Sequence, residues 1–585
     1  MKHIFPSAYA TFFTIKPKLQ PCYFQSGKKH TLCTFLHMAS HNLKIHEQCS
    51  VAPPSAPQTS LPLVFFDLFW LRFHPVERIF FYSLPVTHSN PSIFYTQVVP
   101  NLKTSLSHTL QHFSPLAGNV LWPNGSSNPV AQYTPGDAVS VVLAESEADF
   151  DHALDNAPKE ASELRCLVPH LESSDSHASV MAIQITLFPN RGFAIGISTH
   201  HAVLDGKTST LFIKAWASLC KTNDDDSSST RSLAPELEPL FDRTVIKSPS
   251  ELGFNLSLDL AELVTKMFPG ENSDERCLKL LPFPPRLEDQ VRGTFVLTVA
   301  DLERLKNWVL SKWDSEDDVV EEKSNSKSTS SKPTKLSTFV VTCAYTVVCI
   351  AKALHGVEKE KNKFSFTFTG DCRARLEPPI PENYFGNCVW GNLVDAKPSA
   401  FIEKEGFVII AKSIHSKIKD ILDKGVFHEV DDVLPRYAAL AKERVEMIAT
   451  AGSNRFGVYG NDFGWGKPSK VEIASVDRAL TVGLAEKRDE KGGVEVGIVL
   501  KRPVMELFGT LFHGGLTYEW CIWNWRNCTQ LALFFLIANP KVLRICYKKF
   551  LSVIFIIIYL VCFFSILLST NFFIYLSTLL YKKWS

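Results

Sequence analysis

The sequence predicts an α/β chain built in two halves, and three observations carry that expectation. Strand-like alternation and helical apolar spacing follow one another along most of the chain. Two polar stretches, KTNDDDSSSTR at 221–231 and SKWDSEDDVVEEKSNSKSTSSKPTK at 311–335, interrupt that order. The second half resumes with a strand, VRGTFVLT from Val291, and each half goes on to alternate strands with helices.

The elements follow in order. The run LPLVFFDLFWLRFHPVERIFFY at 61–82 reads as core strands bounded by proline, with Asp67 and Glu77 its only acids. Val99 to Phe113 has helical apolar spacing, ended by Ser114-Pro115. Met181 to Ile197 alternates as MAIQITLF, turns at Pro189-Asn190-Arg191-Gly192 and returns as FAIGIST, a hairpin. Its second strand runs into His200 and His201, and KTSTLFIKAWASLC after Gly206 is spaced as a helix. After the second break, LSTFVVTCAYTVVCIAKAL predicts a nearly all-apolar, buried helix capped by Ser337 or Thr338. FSFTFTGDCRAR reads as a strand and charged turn, PPIPENYFGNCVWG as a loop, and NRFGVYGNDFGWGKP as a strand with a glycine-flanked corner. EVGIVLKRPVMELFGTLF closes with a strand and a helix.

Composition narrows the function classes. Lys and Arg number 61 against 60 Asp and Glu, so no basic field points to nucleic acid. The 14 cysteines include no C-x-x-C pair, which argues against zinc sites and a disulfide framework and for reduced thiols in the cytoplasm. No metal site is expected.

Both ends differ from the middle. Residues 1–37 hold five lysines and no acid, yet Pro6, Pro17 and Pro21 interrupt any amphipathic helix, and Met38 opens what reads as a soluble domain. The segment is read as an extension outside the domain. Phe550 to Tyr581 runs 32 residues without a charge, flanked by lysine pairs, long enough to span a bilayer. Residues 520–585 are therefore either a membrane anchor or translated non-coding sequence. The expected division is 1–37 extension, 38–220 first domain, 221–290 crossover, 291–519 second domain, and 520–585 tail.

THHAVLDG at 199–206 places His201 four residues before Asp205, where a buried strand gives way to a turn and a helix. Alone, this could be a surface turn with an Asp-Gly corner. Strand ends also carry catalytic groups, because the backbone is rigid while the side chain faces an opening. Two further stretches accompany it: Y-F-G-N at Tyr384 to Asn387 and D-F-G-W-G at Asp462 to Gly466. Together the three motifs resemble the BAHD family of plant acyl-CoA-dependent acyltransferases over about residues 38–519. LPLVFFDLFWLRFHPVERIFFY, HFSPLAG and the YFGNC loop resemble its branch that malonylates phenolic and anthocyanin glucosides.

The resemblance implies two similar chloramphenicol-acetyltransferase-like domains with mixed sheets and a channel between them. It implies a monomer that binds an acyl-CoA, here malonyl-CoA as a substrate and not a resident cofactor, and a phenolic glucoside acceptor. His201 becomes the general base for the acceptor hydroxyl, with Trp465 Nε1–H a donor to the oxyanion. Asp205 and Asp462 belong to the catalytic motifs; Asp205 is read as a brace for the turn, and Asp462 as a member of its corner with a role in proton handling left open. His200, on the other strand face, is the second candidate for the base. For the CoA phosphates the candidates are Arg292, Lys335, Ser337, Thr338 and Arg373. For a malonyl carboxylate they are Arg191, Arg292, Arg373 and Arg375. Two alternatives stay open: another acyl donor, hydroxycinnamoyl- or acetyl-CoA, or a membrane-anchored binding protein without catalysis.

Overall fold

Apolar strands from both halves of the chain assemble into three sheets. The computed structural model describes residues 43–126, 128–221, 232–247, 277–280, 289–314 and 332–516. The first sheet has six strands in the order Leu43–Val51, Val139–Ser146, Met181–Phe188, Gly192–Thr199, Val76–Ser83 and Lys470–Ile473. It is mixed: Val139–Ser146 runs parallel to Met181–Phe188, and the other neighbours are antiparallel. The second has seven: Val389–Leu393, Phe364–Asp371, Glu446–Gly452, Thr481–Glu486, Val494–Lys501, Gln290–Leu297 and Lys159–Glu160. A four-stranded sheet is made by Thr59–Pro62, Val130–Tyr133, Asn119–Leu121 and His177–Ser179.

The hairpin forms with its turn at Asn190, which takes the left-handed conformation at φ 61°. Thr199 pairs with Met181 and Phe193 with Leu187. Both strands are buried along their whole length. Alternation in the sequence predicts one wet face; these strands instead lie inside the sheet, covered on both faces. Gln184 Nε2 finds partners inside the sheet, donating to Cys166 O at 2.8 Å and to Thr186 Oγ1 at 3.0 Å.

The helix Val99–His112 packs on Gly206–Lys221, where Trp216 Nε1 donates to Leu102 O at 3.2 Å and Ser105 Oγ at 3.1 Å. Thr338–Val357 is capped by Ser337, whose Oγ accepts the Val340 N–H at 3.2 Å. It is apolar and long enough to cross a membrane, yet here it is a core helix. Tyr345 meets Phe407 of Gly406–Lys424 at 5.6 Å.

Two local expectations are corrected. Within 61–82, Phe65–Leu68 is a helical turn, not a strand, because the Asp67 carboxylate accepts the Val64 N–H at 3.0 Å and closes it. Residues before DFGWG form no strand: Val458–Gly460 is a single tight turn, with Gly457, Gly464 and Gly466 all at positive φ.

The two halves also exchange strands. Lys470–Ile473 completes the edge of the first sheet, and Lys159–Glu160 completes that of the second. The described residues up to Phe512 accordingly form one compact unit. The tail candidate at 550–581 and the extension at 1–37 lie outside the described residues.

Candidate active site

The strand Gly192–Thr199 ends at His200, and the chain turns before the helix Gly206–Lys221 begins. His200 and His201 part at this point, as adjacent strand residues do. His200 is fully buried, its Nδ1 accepting the Ala202 N–H at 3.2 Å, and burial lowers its pKa to about 3. His201 is half-buried. Burial lowers its pKa to about 4, against a smaller opposing effect from its own backbone carbonyl. Its Nδ1 is buried without a hydrogen-bond partner among the described residues; the ring is neutral near pH 7 and able to accept a proton. The ring lies flat against Trp70, with centroids 4.0 Å apart and planes 3° from parallel.

Asp205 is turned away from His201. Its Oδ2 accepts from Arg373 Nη1 at 2.8 Å and from the Cys388 N–H at 3.1 Å; its Oδ1 takes the N–H groups of Lys207 and Thr208 at 3.1 and 2.9 Å. Burial alone would raise this carboxyl, but Arg373 and those N–H groups hold it below the usual range. Arg373 Nη2 also bonds Thr208 Oγ1 and the carbonyls of Tyr384 and Gly386. Every direction of the guanidinium faces protein, and the side chain is 0% exposed. The expectation that Arg373 contacts CoA or a malonyl carboxylate is corrected on this ground: it is the internal partner of Asp205.

A second buried network holds the backbone of His201. Asn387 Nδ2 donates to His201 O at 2.9 Å and to Asp67 Oδ1 at 3.0 Å, and the Asn387 N–H meets the same oxygen at 2.9 Å. Asp67 is fully buried, and burial raises its carboxyl despite the facing Arg243, 3.6 Å away. Arg243 in turn donates to Tyr384 Oη at 2.7 Å and Phe385 O at 2.9 Å. The YFGN loop thus ties the segment around residue 67, the turn at 201–205 and the second sheet together. Gly386 sits at φ 142°, and a Cβ there would stand 2.2 Å from Arg243 Nη1. Asp67, Arg243 and Asn387 were not among the expected site residues. The visible signal was Asp67, a carboxylate within an apolar run.

The structure does not bring Trp465 to His201. The Trp465 ring stands edge-on to Phe193, 6.2 Å between centroids. Phe193 lies near the start of the strand Gly192–Thr199 and His201 beyond its end, so the two lie roughly 20 Å apart along it. The expected oxyanion donation is therefore corrected. Asp462 organises its own corner: Oδ2 pairs with Lys221 at 2.7 Å, and Oδ1 accepts the Gly464 and Gly466 N–H groups, both at 2.9 Å.

Arg292 is also corrected. It is buried beneath the strand Lys470–Ile473, bonded to Glu472 at 3.2 Å and to the carbonyls of Ile473 and Ala474 at 3.0 and 2.7 Å. Lys335 and Ser337 are exposed and Thr338 half-buried at the start of the long apolar helix. Phe339 of its first turn packs 5.4 Å from Phe368, on the strand that ends at Asp371 beside Arg373. Arg191 pairs with Asp151 at the far end of the strand from His201. Arg375 is exposed, two residues from Arg373. Among the described residues no group of three or more His, Cys, Asp or Glu could hold a metal ion.

A half-buried histidine at a braced strand end, its ring neutral and its backbone carbonyl held by Asn387, can accept a proton. Residues 43–513 match the family described as Transferase family. The chain is 40% identical over 481 residues to phenolic glucoside malonyltransferase 1 of Arabidopsis thaliana, covering 81% of this chain and 98% of that one. It is 37% identical to malonyl-CoA:anthocyanidin 5-O-glucoside-6''-O-malonyltransferase of the same plant, with the same coverage. Among solved structures, vinorine synthase superposes with a TM-score of 0.55 at 20% identity, over 81% of this chain and 98% of its own. That likeness shows the shared fold. The chain belongs to the Transferase family, the BAHD acyl-CoA-dependent acyltransferases.

Proposed function

We propose that this enzyme transfers a malonyl group from malonyl-CoA to a sugar hydroxyl of a phenolic or flavonoid glucoside. The observation that carries the chemistry is His201, neutral, half-buried and, among the described residues, without a carboxylate partner at the end of a braced strand. The names of the similar malonyltransferases support the choice of donor and acceptor. In a ternary complex, His201 Nε2 takes the hydroxyl proton as the oxygen attacks the thioester carbonyl. The tetrahedral intermediate collapses, the C–S bond breaks, and the imidazolium returns the proton to the CoA thiolate. No covalent acyl-enzyme is required.

Lys335, Ser337 and Thr338 are the CoA contacts in this reading: accessible donors and one cation at a helix N-terminus suit phosphate. Of the four arginines considered for the malonyl carboxylate, Arg292 and Arg373 are spent inside the protein and Arg191 lies at the wrong end of its strand. Arg375 remains, and we assign it that role. The enzyme works as a monomer in the cytoplasm, a compartment that suits the eight described cysteines, all free.

The test is a panel of malonyl-, acetyl- and coumaroyl-CoA against flavonoid and simple phenol glucosides. Malonyl transfer should dominate; activity with an aromatic donor alone would replace the malonyl reading with hydroxycinnamoyl transfer. Arg375→Ala should raise KM for malonyl-CoA about tenfold or more while leaving KM for acetyl-CoA nearly unchanged, since only malonate loses a charge-assisted bond. An equal rise for both would remove Arg375 from this role.

A further inference from the structure

In the proposed reaction His201 carries a positive charge from the moment it takes the hydroxyl proton until the thiolate reclaims it. The carboxylates nearest in the fold are already committed. Asp205 faces Arg373 at 2.8 Å, and Asp67 is held by Asn387 and faces Arg243. Among the described residues no carboxylate hydrogen-bonds the His201 ring. What lies against it is an aromatic face. Trp70 covers the imidazole at 4.0 Å between centroids and 3° between planes. The indole is itself clamped by neighbouring rings, Phe69 at 4.8 Å and Phe73 at 5.1 Å, both nearly perpendicular to it. This flat overlap suits attraction between a planar cation and the electron-rich face of an indole, the strongest such face among the side chains.

We propose that Trp70 is a positioning residue for acyl transfer: its face fixes the plane of the His201 imidazole and stabilises the imidazolium, in the place a carboxylate would otherwise take. The proposal rests on His201 being the base. Trp70 does not touch the reacting atoms; it acts through the histidine. Its effect is larger on the transition state than on the ground state, because the ring is neutral before the reaction and cationic during it.

Trp70 Nε1 is buried and without a partner among the described residues, so a hydrogen-bond role for the indole N–H competes with the role of its face. Fluorination separates the two. Fluorine withdraws charge from the face and makes the N–H a better donor, while the shape of the ring is nearly kept. The full-length protein is prepared with mono-, di- and tetrafluorotryptophan at position 70 and assayed with the acyl-CoA and acceptor that the unmodified enzyme turns over fastest. The expected result is a stepwise fall in kcat with each fluorine, reaching roughly threefold to thirtyfold, with KM for the acyl-CoA changed by no more than about twofold. A flat series would overturn the proposal, and a rising series would overturn it in favour of the N–H.

Should the fluorinated chains not fold, Trp70→Phe and Trp70→Leu replace them. Phe, which keeps a smaller aromatic face, should retain several times the kcat of Leu; equal rates would overturn the proposal. His201→Ala is the control for the underlying reading. If it stays active, His201 is not the base and the platform has no cation to serve. If it is inactive while the fluorine series is flat, only the role of Trp70 falls. Because the assay uses whichever donor works best, a wrong malonyl assignment shows in the unmodified enzyme and does not affect the fluorine series.

Discussion

At the scale of single residues, the division of labour around His201 follows from burial and partners. Burial shifts its pKa from 6.5 to about 4, so the free base is retained well into mild acid. The acid limb of kcat/KM should accordingly fall near pH 4, with full activity above about pH 5. A limb near 6.5 would show that another group, or a much wetter histidine, controls the rate. His201→Ala should lower kcat by about 10²- to 10⁴-fold while CoA binding persists, because among the described residues no side chain hydrogen-bonds the ring. The same pKa values set a stability trend. His200 and His201 take up protons in the folded chain only near 3 and 4, whereas the unfolded chain takes them up at 6.5. The unfolded state therefore binds more protons through that window. The histidine contribution to stability is full above about pH 6.5 and is lost as the pH falls toward 3.

At the scale of elements, the loop Tyr384–Cys388 and the turn 201–205 are a matched pair. One supplies carbonyls and N–H groups, the other a carboxylate, and Arg373 bridges them. Gly386→Ala should destabilise by about 1–3 kcal/mol, because its φ of 142° is outside the range of L side chains and a Cβ would press on Arg243. The midpoint of urea unfolding measures this; an unchanged midpoint would mean the loop relaxes freely. A parallel loss of activity is expected, since Asn387 next to it holds the His201 carbonyl. The helix start at Ser337 is a milder case: Ser337→Ala should cost about 1 kcal/mol through the lost cap.

At the scale of the whole molecule, strand exchange joins halves that the polar breaks separate in sequence. Lys470–Ile473 lies in the first sheet, and its Glu472 reaches across to Arg292 of the second. Neither half can unfold without exposing a sheet edge of the other. Calorimetry should give one unfolding transition for the described region, and two well-separated transitions would contradict this coupling. Arg292→Ala leaves Glu472 buried beside Lys470, its nearest remaining cation at 3.7 Å, and should cost about 3–5 kcal/mol. A variant of ordinary stability would show that water enters and solvates the carboxylate.

Local pattern was enough for the elements whose periodicity is uninterrupted: the hairpin around Asn190, the helix after Gly206, and the buried helix capped by Ser337. It placed His201 at a strand end before a helix, a local property, but its proposed role came only with the two companion motifs at 384–387 and 462–466. It was not enough for Asp67, Arg243 and Asn387, which come from three distant segments and meet only through packing. Nor could it tell Arg373 and Arg292, locked inside, from Arg375, left exposed, since burial depends on everything folded around a side chain. Trp465 was misplaced for the same reason. Its motif travels with His201 in sequence, but the strand between Phe193 and Thr199 holds the two rings at opposite ends. Sequence by itself, through the three motifs it shares with its family, determined the class of chemistry and the residue proposed to perform it. Only the tertiary structure decided the partners of that residue, because charge pairing and ring stacking act over a few ångströms between groups hundreds of residues apart.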